Sequence, residues 1–128
     1  QIVSITKKML SKLNGNKVTV FGLTYKGDVD DIRESPAFDI YELLRKEEGL
    51  EVNTYDPHVK MDFVEKDMKS AVTDSSLVLV LSDHSEFKIL TDNDFETMKD
   101  KVIFDTKNVV PNNFSEVQYY NYGNIQKF

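Results

Sequence analysis

"KVTVFGLTYKGDVDDIRESPAFDI", residues 17–40, decides the reading of the fold. The stretch "KVTVFGL" is a Val-rich, near-continuous apolar run, as expected of a strand covered on both faces. Ser35-Pro36 then gives a helix start, with Ser as N-cap and Pro at the first helical position. Between them, Gly22 and Gly27 have the spacing of a phosphate loop. The Lys and Ser or Thr that such a loop needs are replaced by Asp28 and Val29, which argues against nucleoside triphosphate chemistry. A dinucleotide turn fares no better. Gly22 is followed by Leu23 and Thr24, and Asp28, Asp30 and Asp31 would repel a pyrophosphate placed on this turn.

Outward from this unit, strands and helices alternate. "QIVSITKKMLSKLNGNK" places Ile2, Ile5, Met9 and Leu13 at helical spacing, with Gly15 at a left-handed stop. "AFDIYELLRKEEG" continues the second helix, with Ala37, Ile40, Leu43 and Leu44 on one face and Gly49 beyond its end. "LEVNTYDP" (50–57), "LVLVLS" (77–82) and "KVIFDT" (101–106) are further strands, and "EVQYYNYG" (116–123) is a fifth. "FVEKDMKSAVTDSS" (63–76) is weakly helical, and "TDNDFETMKD" (91–100) carries a capping signature in Thr91, Asp92 and Asp94. The pattern predicts an α/β fold, a Rossmann-like three-layer sandwich on a mostly parallel five-stranded sheet ordered 2-1-3-4-5. Ligands of such sheets sit outside the carboxyl ends of the strands, near a switch point.

Composition narrows the functional classes. At 128 residues the chain reads as one domain. The net charge of −6 and pI near 4.9 oppose a nucleic-acid surface. No apolar run approaches the length that membrane insertion needs. There are no cysteines, so thiolate metal sites and Cys nucleophiles are excluded. That fits a reducing compartment, and the expected location is cytoplasmic. The chain begins with Gln and opens on a helix, which suggests a piece of a longer protein.

The residues following each strand would share one rim. They include Tyr25, Lys26 and Arg33 after the first strand and Asp56 and His58 after the second. Asp83 and His84 follow the third, and Asp105 and Lys107 the fourth. Three cations on one rim of an acidic protein suit an anionic ligand such as a diphosphate. Two other readings compete. A receiver domain would gather Asp28, Asp30, Asp31 and Asp83 around Mg²⁺, but it also wants a Lys after its last strand, which "VQYYNYG" lacks. Asp56, His58, Asp83 and His84 could ligate a metal, but Asp56-Pro57 is an ordinary strand-ending turn and no third spaced ligand follows. No metal is therefore expected.

"GLTYKGDVDDIRESPAFDI" closely resembles the signature of the C-terminal domain in the UDP-glucose/GDP-mannose dehydrogenase family. That signature runs Gly-Leu, a small residue, an aromatic, Lys, a short spacer, then Asp-Asp-x-Arg-Glu-Ser-Pro. "YDPHV", "SDHSEF" and "VIFDTKNV" follow in the family's order, so the resemblance covers about residues 17–123. "YKGDVDDIRESP" is most similar to the branch that oxidises UDP-N-acetylmannosamine or UDP-N-acetylglucosamine.

The resemblance implies a parent enzyme that oxidises the C6 alcohol of a UDP-sugar to a carboxylate for surface polysaccharide synthesis. It uses two NAD⁺ and passes through a thiohemiacetal on a catalytic Cys. It implies a homodimer built on a central helix, with residues 1–14 linking that helix to a UDP-sugar-binding domain at 15–128. By position, Tyr25 and Lys26 match the pair that contacts the UDP-sugar. Lys107 stands where many members have Arg, and Arg33 matches the Arg that reaches toward NAD. Asp30 and Asp31 would orient Arg33, and His84 lies in a loop expected to face the sugar. The catalytic Cys and the dinucleotide turn are missing from this stretch, so no catalytic residue is assigned and the chain alone is expected to be inactive. A stand-alone Rossmann-like nucleotide-binding or regulatory module is the alternative.

Overall fold

Five strands, β1 (Lys17–Phe21), β2 (Glu51–Tyr55), β3 (Leu77–Val80), β4 (Val102–Asp105) and β5 (Gln118–Tyr120), form one sheet. In the computed structural model, which describes residues 1–128, their order is β2-β1-β3-β4-β5. Every pairing is parallel, with Val20 opposite Thr54 on one side and Leu79 on the other. The chain starts in the middle of the sheet, runs to one edge and crosses back, so the switch point lies between β1 and β3.

The strands read as apolar runs because both faces are covered. Val18, Val20, Leu77, Leu79, Val102 and Phe104 point into one core, closed by helices α1 (Ile2–Ser11) and α2 (Pro36–Arg45). Phe21, Val78, Val80 and Ile103 point into the other, closed by α3 (Met68–Val72) and by 3₁₀ turns at Ser85–Ile89 and Asp92–Phe95. Phe21 stacks on Phe87 at a centroid distance of 5.2 Å. Such a pair adds about 0.5–1.5 kcal/mol beyond the area it buries.

Helix α2 starts as its sequence requires. The Ser35 Oγ accepts from the Phe38 N–H and donates to the Leu23 carbonyl at 2.9 Å, so the cap also fastens the helix to the end of β1. The buried stripe is Ala37, Tyr41 and Leu44. Leu43 is exposed, because it lies about 100° around the helix from Leu44. Gly15 takes no left-handed angle. Helix α1 ends earlier, at Lys12, in a right-handed conformation. Gly15 instead lies where an added Cβ would come within 2.6 Å of the Ser76 Oγ.

The sheet's borders are short. β5 has 3 residues. Beyond β2 the chain folds back so that Tyr55 bridges Glu65, and the Glu65 N–H donates to the Thr54 carbonyl.

Candidate functional site

The carboxyl ends of β1, β3 and β4 open into a cleft of about 250 Å³ beside the start of α2. Thr24, Tyr25, Pro36, Ala37 and Ile40 line it together with Lys107 and Tyr122. Two of the predicted ligand contacts, Tyr25 and Lys107, therefore border one cleft, although they are 82 residues apart in sequence. Tyr25 is 65% exposed, its ring offered to whatever enters. Lys26 is the next residue along the rim and is exposed. Its side chain makes neither an ion pair nor a hydrogen bond.

The loop carrying Tyr25 and Lys26 is held from below. Gly22 adopts φ 97°, and a Cβ there would lie 2.4 Å from that of Ser82, so only glycine lets β1 turn so close to β3. The Leu23 N–H donates to Asp56 Oδ2 at 2.8 Å. The Thr24 N–H donates to the Ser82 Oγ, which donates back to the Thr24 carbonyl. The Asp28 N–H donates to His84 Nδ1 at 2.8 Å.

Lys107 is placed by the opposite loop. Asp105, fully buried at the end of β4, accepts from the Lys107 N–H at 3.0 Å, the Val110 N–H at 2.8 Å and the Tyr119 hydroxyl at 2.8 Å. Burial, then the Asp105 carboxylate, pushes the Tyr119 phenol up to about 12.

Arg33 lies outside the cleft lining. Its side chain is 86% exposed, and its Nε and Nη2 donate to the two oxygens of Asp31 at 3.0 and 2.9 Å. These bonds hold the Asp31 carboxyl down at about 2. Nη1 has no partner, so the guanidinium keeps a free edge for an anion. Asp31 orients Arg33 as expected, whereas Asp30 makes no hydrogen bond to it.

His84 departs from the expectation. It is fully buried, with Nε2 donating to Asp56 Oδ2 at 2.9 Å. A histidine in a polar loop reads as a surface group; no local pattern signals that the β1 loop folds over it. The receiver grouping does not form either. Asp28 instead lies with His58, His84 and Glu86, their ligand atoms within 4.8 Å of one another. In that group both His84 nitrogens are engaged, His58 Nε2 is paired with Glu86 at 3.0 Å, and the Asp28 carboxylate accepts from Ser85. A larger concavity of about 810 Å³ follows β2. It is built from one continuous segment away from the switch point and contains none of the predicted contacts.

A parallel α/β sheet of this order places its ligands outside the carboxyl ends of the strands, at the switch point, where this cleft lies. Residues 19–112 match the family described as "UDP-glucose/GDP-mannose dehydrogenase family, UDP binding domain". The chain belongs to this family.

The UDP-N-acetyl-D-mannosamine dehydrogenase of Methanococcus maripaludis is 35% identical over 119 residues, covering 85% of this chain and 28% of the relative. The native structure of the UDP-N-acetyl-mannosamine dehydrogenase Cap5O from Staphylococcus aureus superimposes with a TM-score of 0.97 at 69% identity, covering 98% of this chain and 31% of that one. The UDP-D-ManNAc dehydrogenase structure from Pyrococcus horikoshii gives a TM-score of 0.78 at 28% identity, covering 95% and 29%. The chain thus spans less than a third of the length of these relatives.

Proposed function

We propose that this chain is the nucleotide-sugar-binding domain of an NAD-dependent UDP-sugar 6-dehydrogenase, and that its substrate is UDP-N-acetylmannosamine, oxidised to the uronate for surface polysaccharide. The observation that carries this is the cleft itself. Tyr25 and Lys107 line one cleft at the carboxyl ends of β1 and β4, within a chain whose family is defined by UDP binding.

In this reading the chain's own residues bind and orient. The Tyr25 ring packs on the nucleotide sugar, while Lys26 and Lys107 neutralise the diphosphate by charge-assisted hydrogen bonds. A cleft of about 250 Å³ takes only part of such a ligand; the remainder meets another part of a longer, homodimeric cytoplasmic protein. NAD supplies the hydride acceptor when bound. The residues here fit the border of its site and not its centre, since the free edge of Arg33 offers one cationic contact and no glycine turn offers a pyrophosphate seat.

The test is a titration of the full-length parent with UDP-N-acetylmannosamine, UDP-N-acetylglucosamine and UDP-glucose, following NADH formation. The N-acetylmannosamine compound is expected to turn over best. Lys26→Ala should weaken its binding by about 1.5–3 kcal/mol. Lys107→Ala should do the same, and Lys107→Arg should restore it. Unchanged affinity in Lys26→Ala and Lys107→Ala would remove both lysines from the site.

A further inference from the structure

We infer that His84 is a positioning residue for the nucleotide-sugar contacts: its imidazole, seated on Asp56, pins the loop that carries Tyr25 and Lys26. The inference rests on the reading of those two residues as substrate contacts.

Neither the Tyr25 nor the Lys26 side chain has a hydrogen-bonding partner within the chain, so their placement comes from the backbone on either side. Upstream, Leu23 and Thr24 are tied to Asp56 and Ser82. Downstream, Asp28 is tied twice to the segment after β3. Its N–H donates to His84 Nδ1 at 2.8 Å, and its carboxylate accepts from the Ser85 N–H at 2.7 Å and the Ser85 hydroxyl at 2.6 Å. Asp28 sits at φ 61°, a left-handed angle that a non-glycine residue keeps only when its surroundings hold it.

Histidine suits this position because the two ties need opposite chemistry on one rigid ring. Nδ1 accepts from Asp28, so the proton is on Nε2, which donates to Asp56 Oδ2 at 2.9 Å. Asp56 is fixed in turn by the N–H groups of Leu23 and His58. The ring is walled by His58 at 4.6 Å and by the edge of Phe87 at 5.5 Å. One buried ring thus joins the ends of β1, β2 and β3 under the rim. An Asn side chain keeps the acceptor near Nδ1 but stops short of Asp56. A Gln side chain reaches Asp56 with a donor but presents no acceptor to Asp28.

The experiment measures UDP binding by calorimetry, and KM for NAD⁺, on the full-length parent. Wild type is compared with His84→Asn, His84→Gln, Asp28→Ala and Lys26→Ala. His84→Gln should weaken UDP binding about tenfold, the value of one lost hydrogen bond. His84→Asn, which keeps the acceptor for Asp28 but loses the seat on Asp56, should weaken it less than His84→Gln, and KM for NAD⁺ should not move in either. Asp28→Ala keeps the N–H that meets His84 but removes the carboxylate ties of the same loop to Ser85, and it should also weaken UDP binding; where the His84 variants do not fold, ¹⁵N NMR of the wild-type ring decides, because a His84 protonated on Nδ1 overturns the inference. Normal UDP binding by His84→Gln overturns the inference. So does equal weakening by Asn and Gln with a parallel rise in KM for NAD⁺, the mark of a general loss of structure. Unchanged binding in Lys26→Ala would remove the reading of Lys26 on which the inference rests, and the inference with it.

Discussion

The Tyr119 hydroxyl donates to the Asp105 carboxylate across 2.8 Å, joining β5 to the loop that presents Lys107. Burial and the neighbouring carboxylate together raise the phenol from 10 to about 12. The folded protein therefore holds this proton more tightly than the unfolded chain. The resulting stabilisation is complete below pH 10 and is lost as pH rises toward about 12. Absorbance titration should show one tyrosine ionising near that upper value. Asp105→Asn should lower it, leaving the burial contribution. A Tyr119 that titrates near 10 in the wild type would contradict the contact.

Arg33 and Asp31 make the opposite case, a clamp on the surface. The bidentate bond depresses the Asp31 carboxyl from 3.8 to about 2. Its contribution is present above pH 3.8 and disappears as pH falls through about 2. Carboxyl NMR should record that low midpoint, and Arg33→Ala should return it toward 3.8. On the proposed function, Arg33→Ala in the full-length parent should raise KM for NAD⁺ about tenfold, the value of one charge-assisted bond, while UDP affinity stays nearly intact. Loss of UDP affinity instead would assign Arg33 to the nucleotide sugar.

Gly22 is where the site depends most on a missing side chain. Gly22→Ala must accept a left-handed backbone and a Cβ pressed on Ser82. The two costs sum to about 2–5 kcal/mol. Urea denaturation should show this as a lower midpoint with an unchanged slope. A loss below about 1 kcal/mol would mean that β1 turns further from β3 than the structure has it.

The sheet was readable because its strands are unbroken apolar runs, and their alternation with helices left few topologies. Ser35-Pro36 and the Thr91–Asp94 capping box stood in the sequence as they stand in the fold. The elements read less well are the short ones. The weak helical pattern over 63–76 yields only Met68–Val72, started by the Asp67 side chain. The 91–100 pattern tightens into a 3₁₀ turn over Asp92–Phe95. Tertiary packing decides such brief segments, because they hold too few hydrogen bonds to form on their own. That Tyr25 and Lys107 border one cleft was legible from their positions after parallel strands. The buried role of His84 was not, because both of its partners come from other strands' loops.

The way the sheet ends has a consequence for strand addition. An open row of amides at a sheet margin is a template on which another chain can lay a strand. Here one margin is a three-residue strand, and at the other the chain doubles back so that Glu65 bridges Tyr55 at the end of β2. A strand added from outside would therefore find its longest run of free amides at the start of β2.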